Sequence, residues 1–164
     1  MFDYTRQTAL GLLLLAATVV SGCAVTKTEP GADTAKPKSL YSPEQASALA
    51  LEGKRAYERG DIDTAIQSWQ SAVELNPADA ITVNNLALVL KDQNRFSAAA
   101  KLLEQGVEAS PETAELHYNL AVISELYLLQ LEKALVHYKR YQQLSGAEDK
   151  TVTGWITDLE RRLQ

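Results

Sequence analysis

The sequence predicts an all-α fold, a solenoid of stacked helix pairs closed by one further helix. Three observations carry this. The chain matches itself when slid by 34 residues. Each unit so defined holds two stretches of helical periodicity separated by turn residues. No stretch reads as a convincing strand. In the first slide Ala65 falls on Ala99, Val73 on Val107, Glu74 on Glu108 and Pro77 on Pro111. In the second, Asn85 falls on Asn119, Leu86 on Leu120 and Ala87 on Ala121. Ala99 reaches Ala134 only after 35 residues, which places one inserted residue in the turn LYLLQL.

Residues 1–22 stand apart from this pattern. The run ALGLLLLAATVV, Ala9 to Val20, makes roughly 18 Å of helix against a hydrocarbon core of roughly 30 Å, too short to span. It also has no partner segment for a buried helix. A charged start with Arg6, an apolar stretch and small residues at its end fit an export signal, although Asp3 weakens the positive start. The end reads Val20-Ser21-Gly22-Cys23 and resembles the bacterial lipobox. That resemblance implies cleavage before Cys23, lipidation of its sulfur and acylation of its new amine. Two or more acyl chains hold a membrane stably where one does not. Cys23 is the only cysteine, so the chain forms no internal disulfide. Ala24, rather than aspartate, follows it, which by the same resemblance implies the outer membrane.

Residues 23–41 are expected to be a flexible tether. AVTKTEPGADTAKPKSL is rich in lysine, proline, threonine and glycine, too polar to offset its ordering entropy, and extended it reaches roughly 55–60 Å.

Residues 42–148 hold three units. Ser42-Pro43-Glu44-Gln45 opens the first helix with a serine N-cap, proline at N1 and glutamine at N3, and that helix ends near Gly60. DIDTAIQSWQSAVEL is the second, with Ile62, Ala65, Ile66, Trp69, Ala72 and Val73 on one face, stopped at Asn76-Pro77. The second unit runs from about Asp79 to Gln93 and from Phe96 to Ala109, the third from Thr113 to Tyr127 and from Leu131 to Leu144, with Gly146 as the stop. Residues 149–164 repeat Val152, Trp155, Ile156, Leu159 and Leu163 at helical spacing behind Asp149 as N-cap. A helix apolar on one side suits the exposed end of a solenoid, and a partner-docking helix is the alternative.

Gly53, Gly60, Ala65, Trp69, Ala72 and Pro77 in unit one, and Leu86, Ala87, Asn94, Phe96, Ala99, Leu103, Gly106 and Pro111 in unit two, resemble the tetratricopeptide repeat. Unit three follows with Leu120, Ala121, Ala134 and Tyr138, but has Tyr141 where a small residue belongs and Gly146 in place of the proline. The resemblance implies a concave groove lined by the first helix of each pair. By register that groove takes Lys54, Tyr57, Ile81, Asn84, Asn85, Leu88, Lys91, Tyr118, Asn119, Val122 and Glu125. Asn85 and Asn119 share one repeat position, and an amide that both donates and accepts suits a peptide backbone, though it equally serves solubility. Tyr127, Tyr138 and Tyr141 form an aromatic group expected to pack against the closing helix.

The chain has 16 Lys+Arg against 21 Asp+Glu, a net charge of −5, and loss of Arg6 and Asp3 with the signal leaves it unchanged. An acidic chain without a basic run does not suit nucleic acid. His117 and His137 have no second ligand at helical spacing, so no metal or other cofactor is expected, nor an enzyme or a small-molecule substrate. The expected partner is a protein or peptide of the cell envelope. Lipoproteins of this build resemble type IV pilus and secretion pilotins, or scaffolds for peptidoglycan enzymes. An accessory periplasmic subunit of an energy-transducing or transport complex is the alternative.

Overall fold

The computed structural model describes residues 42–146 and 149–164. The expected signal, Cys23 and the tether lie outside the described residues. Within them the chain forms α1 (Pro43–Glu58), α2 (Ile62–Leu75), α3 (Ala80–Asp92), α4 (Phe96–Ala109), α5 (Ala114–Leu126), α6 (Leu131–Ser145) and α7 (Lys150–Arg162). There is no strand among the described residues. The first six helices are three hairpins, and α7 closes the stack.

The starts of the helices have separable causes. The Asp61 carboxylate accepts from the Thr64 amide at 3.2 Å, and that of Asp79 from the Thr82 amide at 3.3 Å and the Thr82 hydroxyl at 2.6 Å. Asp149 accepts from the Thr151 and Val152 amides at 2.9 and 3.2 Å, as its N-cap position predicts. Ser42 departs from the capping box the sequence suggests: it holds the N-cap position, but its side chain makes no capping bond. Pro43 at N1 already removes one orphan N–H and presets φ, and the first turn is open to water.

Within each hairpin, one left-handed residue turns the chain. Gly60 (φ 78°), Asn94 (φ 59°) and Leu129 (φ 54°) occupy this place in the three units. After Gly60 the Asp61 amide returns to the Ala56 carbonyl at 2.9 Å, and after Asn94 the Arg95 amide returns to Leu90 at 2.9 Å. After Leu129 the Gln130 amide reaches back one residue further, to Ser124 at 2.8 Å. That longer loop is where the inserted residue of the third unit goes.

Close crossing accounts for two of the small residues. A Cβ on Gly53 would lie 2.5 Å from Cδ1 of Trp69, so α1 meets α2 ring against backbone. A Cβ on Gly106 would lie 2.7 Å from Cγ1 of Val83. The Trp69 indole N–H donates to the Ala50 carbonyl at 3.1 Å, which satisfies its polar atom in a buried site.

Apolar side chains gather in two clusters. The larger runs from Ala56 and Trp69 through Val83, Leu86, Leu90, Ala99 and Leu103 to Leu116, Leu120 and Ile123. The smaller joins Ala121, Ala134 and Tyr138 to Val152, Ile156 and Leu159 of α7, with Tyr118, Val122, Tyr141 and Trp155 packed against it. Helix α5 contributes to both. Helix α7 therefore covers the end of the stack with its apolar side.

Candidate peptide-binding groove

Two adjoining clefts lie along the first helices of the hairpins. The first, about 380 Å³, is lined by Lys54, Tyr57 and Glu58 of α1, Trp69 of α2, and Ile81, Asn85, Leu88 and Val89 of α3. The second, about 300 Å³, is lined by Ala80, Ile81, Asn84 and Asn85 of α3 with Thr113 and Glu115 at the start of α5. Ile81 and Asn85 belong to both. Ile81 is 75% exposed and Tyr57 46%, which leaves apolar area facing solvent at this place. Tyr57 is tilted on Trp69 with ring centroids 5.7 Å apart, so its ring is a firm wall.

Of the residues the sequence assigns to the groove, Lys54, Tyr57, Ile81, Asn84, Asn85 and Leu88 line these clefts. The others are engaged elsewhere. The Asn119 amide N–H donates to the Asn84 side-chain oxygen at 2.6 Å, a bridge between α5 and α3. Asn85 and Asn119 thus stand in different settings although they share a repeat position. Tyr118 and Val122 pack with the closing helix, Tyr118 lying 6.3 Å from Trp155 and 5.1 Å from Tyr141 between ring centroids. Lys91 pairs with its neighbour Asp92 at 3.1 Å. Glu125 meets Arg162 at 3.4 Å and accepts a hydrogen bond from Tyr138. Burial first, then the Glu125 charge and that bond, push the Tyr138 phenol upward. Tyr118 and Val122 of α5 thus lie beside the apolar side of α7.

Glu115 and Glu58, by contrast, join the clefts without having been singled out from the sequence. Glu115 shares the repeat position of Ile81, which is the signal that would have found it, and Glu58 lies one helical turn beyond Lys54 on the same face of α1. Glu58 lies 3.9 Å from Lys54, and among the described residues no cation pairs with Glu115.

A further pair escapes sequence reasoning. His117 Nδ1 and His137 Nδ1 are 2.9 Å apart, and His117 Nε2 is 3.0 Å from the Pro111 carbonyl. A carbonyl only accepts, so His117 carries its proton on Nε2 and accepts at Nδ1 from His137. Burial, then the charges of His117 and Lys133, hold His137 down to about 4, with Glu104 opposing. The two rings sit on different helices, 20 residues apart, which spacing rules within one helix do not reach. Among the described residues no group of three or more His, Cys, Asp or Glu is placed to hold a metal ion, and no helix is long and apolar enough to cross a membrane.

Comparison with known proteins accords with the helix-pair geometry. Residues 53–94 match a TPR repeat model, and residues 84–145 a tetratricopeptide repeat model. The chain is a tetratricopeptide-repeat protein. Human tetratricopeptide repeat protein 36 is 39% identical over 67 residues, 41% of this chain and 35% of that protein. The STIP1 homolog of Dictyostelium discoideum is 30% identical over 101 residues, 60% of this chain and 18% of that protein. This tetratricopeptide-repeat chain thus matches about a third or less of each of these relatives' lengths. Among solved structures, the first TPR of Spaghetti bound to the HSP90 peptide SRMEEVD has a TM-score of 0.64 at 18% identity, covering 75% of this chain and 96% of that one. The Yersinia enterocolitica type III secretion chaperone SycD, in complex with a peptide of the translocator YopD, has 0.63 at 14%, covering 75% and 98%. At these identities the likeness is one of fold, and the repeat module is one of protein interaction.

Proposed function

We propose that this tetratricopeptide-repeat protein is a non-enzymatic lipoprotein, held in the outer membrane through Cys23 and facing the periplasm, that docks a protein segment in its concave groove while a cell-envelope machine is assembled. The observation that carries the reading is the pair of adjoining clefts around Ile81 and Asn85, where exposed apolar side chains surround an amide that both donates and accepts. The solved structures of similar fold that hold a bound HSP90 peptide or translocator peptide support the reading by analogy. The anchor rests on Val20-Ser21-Gly22-Cys23. Assembly of a pilus or secretion apparatus, or of peptidoglycan enzymes, suits such a domain.

Two measurements test it in cells. Cys23→Ser should abolish fatty-acid labelling and release the protein from membranes; a variant that still sediments with them contradicts the anchor. A photo-crosslinking residue at Leu88, in the groove, should capture an envelope protein, whereas one at Val136, 62% exposed on α6, should not. Capture at Val136 and not at Leu88 contradicts the groove.

A further inference from the structure

The charges around the clefts bear on which segment docks there. In the first cleft Lys54 and Glu58 lie 3.9 Å apart and largely offset each other. In the second, Glu115 is exposed, and among the described residues no cation pairs with it. It stands in the first turn of α5. The positive end of a helix there amounts to roughly half a charge, so a full carboxylate leaves the spot negative. The remaining lining is apolar or amide: Tyr57, Ile81 and Leu88 beside Asn84 and Asn85. The Asn84 oxygen accepts from Asn119 at 2.6 Å, whereas among the described residues no side-chain bond engages Asn85, whose amide can both donate and accept toward a backbone.

Resting on the groove reading above, we infer that the ligand is an extended peptide segment with one large apolar side chain for the Tyr57–Ile81–Leu88 cleft and a Lys or Arg a residue or two away for Glu115. An acidic segment does not fit, because its carboxylates would face Glu115 with no basic side chain lining that cleft to receive them. The apolar side chain supplies the affinity and the cation sets the direction of the segment. Asn85 bonds the backbone between them.

The test uses the full-length chain and three fluorescein-labelled nonapeptides of otherwise identical Gly/Ser sequence. They carry Leu followed two residues later by Lys, Leu followed by Glu, and Ser followed by Lys. Anisotropy at low salt should rank the Leu–Lys peptide roughly fivefold tighter than Leu–Glu, as expected for an exposed ion pair gained against a repulsion. Replacing Leu by Ser should weaken binding by about tenfold or more. Glu115→Lys should invert the order of the first two, a result that mere loss of fold cannot give. Equal or tighter binding of the Leu–Glu peptide, or an unchanged order in Glu115→Lys, overturns the assignment. So does failure of all three peptides to bind. That failure leaves the groove reading standing where crosslinking at Leu88 still captures a partner, and capture at Val136 alone removes both.

Discussion

The histidine pair is the residue-scale feature with the most direct physical consequence. With both rings neutral, one N–H lies between the two Nδ1 atoms 2.9 Å apart, and a first added proton preserves that bond. A second sets N–H against N–H. The groups facing His137 are His117 on α5, Lys133 on its own helix and Glu104 on α4, and Lys133 is itself paired with Glu104 at 2.6 Å. The folded-state pKa of His137, about 4, is below the ordinary 6.5, so the unfolded chain takes up its proton first as pH falls. Stability is fully present above pH 6.5 and declines between 6.5 and about 4. His137 is half-buried, so after solvent screening the loss should be about 1–2 kcal/mol. Urea midpoints taken across this pH range should show the decline, and His137→Gln should flatten it. An equal slope in that variant contradicts the role of the pair.

At the scale of elements, the third hairpin turn stands out. Gly60 adopts its left-handed conformation at no steric cost, and asparagine is tolerated there, but Leu129 is not suited to it. Its side chain is 76% exposed and gains little by burial in return. Leu129→Gly should therefore stabilise the protein by about 1 kcal/mol, read as a rise in the urea midpoint. An unchanged or lowered midpoint would mean that the leucine contributes a contact offsetting its backbone strain. The helices around this turn were legible in the sequence, because apolar side chains at helical spacing and Pro, Gly and Asp at the breaks act within a few residues. The inserted residue was legible too, as a slip from 34 to 35. The positive φ of Leu129 was not, since leucine gives no local signal for it. In the same way Asn119 matches Asn85 by register, yet its bond to Asn84 depends on how α3 and α5 are set side by side. The sequence pattern names the face a residue occupies but not the neighbour that engages it there.

At the scale of the whole molecule, α7 decides how far the groove extends. It buries Val152, Ile156 and Leu159 and sets Trp155 tilted against Tyr138, with ring centroids 5.4 Å apart. Ion pairs Lys139–Glu160 at 2.6 Å and Arg162–Glu125 at 3.4 Å flank this contact. These surface pairs contribute little beside the apolar burial, in which each large side chain is worth about 1.5–3 kcal/mol. Deleting residues 149–164 should lower the melting temperature by more than about 10 °C and expose Tyr118 and Val122. Binding of a hydrophobic dye by the shortened chain checks the second effect. A truncated chain that melts with the full one would mean that α7 is not part of the packed core.

The two core clusters place one tryptophan each at opposite ends of the solenoid. Trp69 lies deep in the larger cluster, 3% exposed, and Trp155 packs against the smaller one. The two halves of the molecule therefore carry separate optical reporters. With Trp155→Phe the remaining emission follows the N-terminal hairpins, and with Trp69→Phe it follows the closing helix. Should the two curves separate on heating, the seam runs along α5, the helix whose residues enter both clusters.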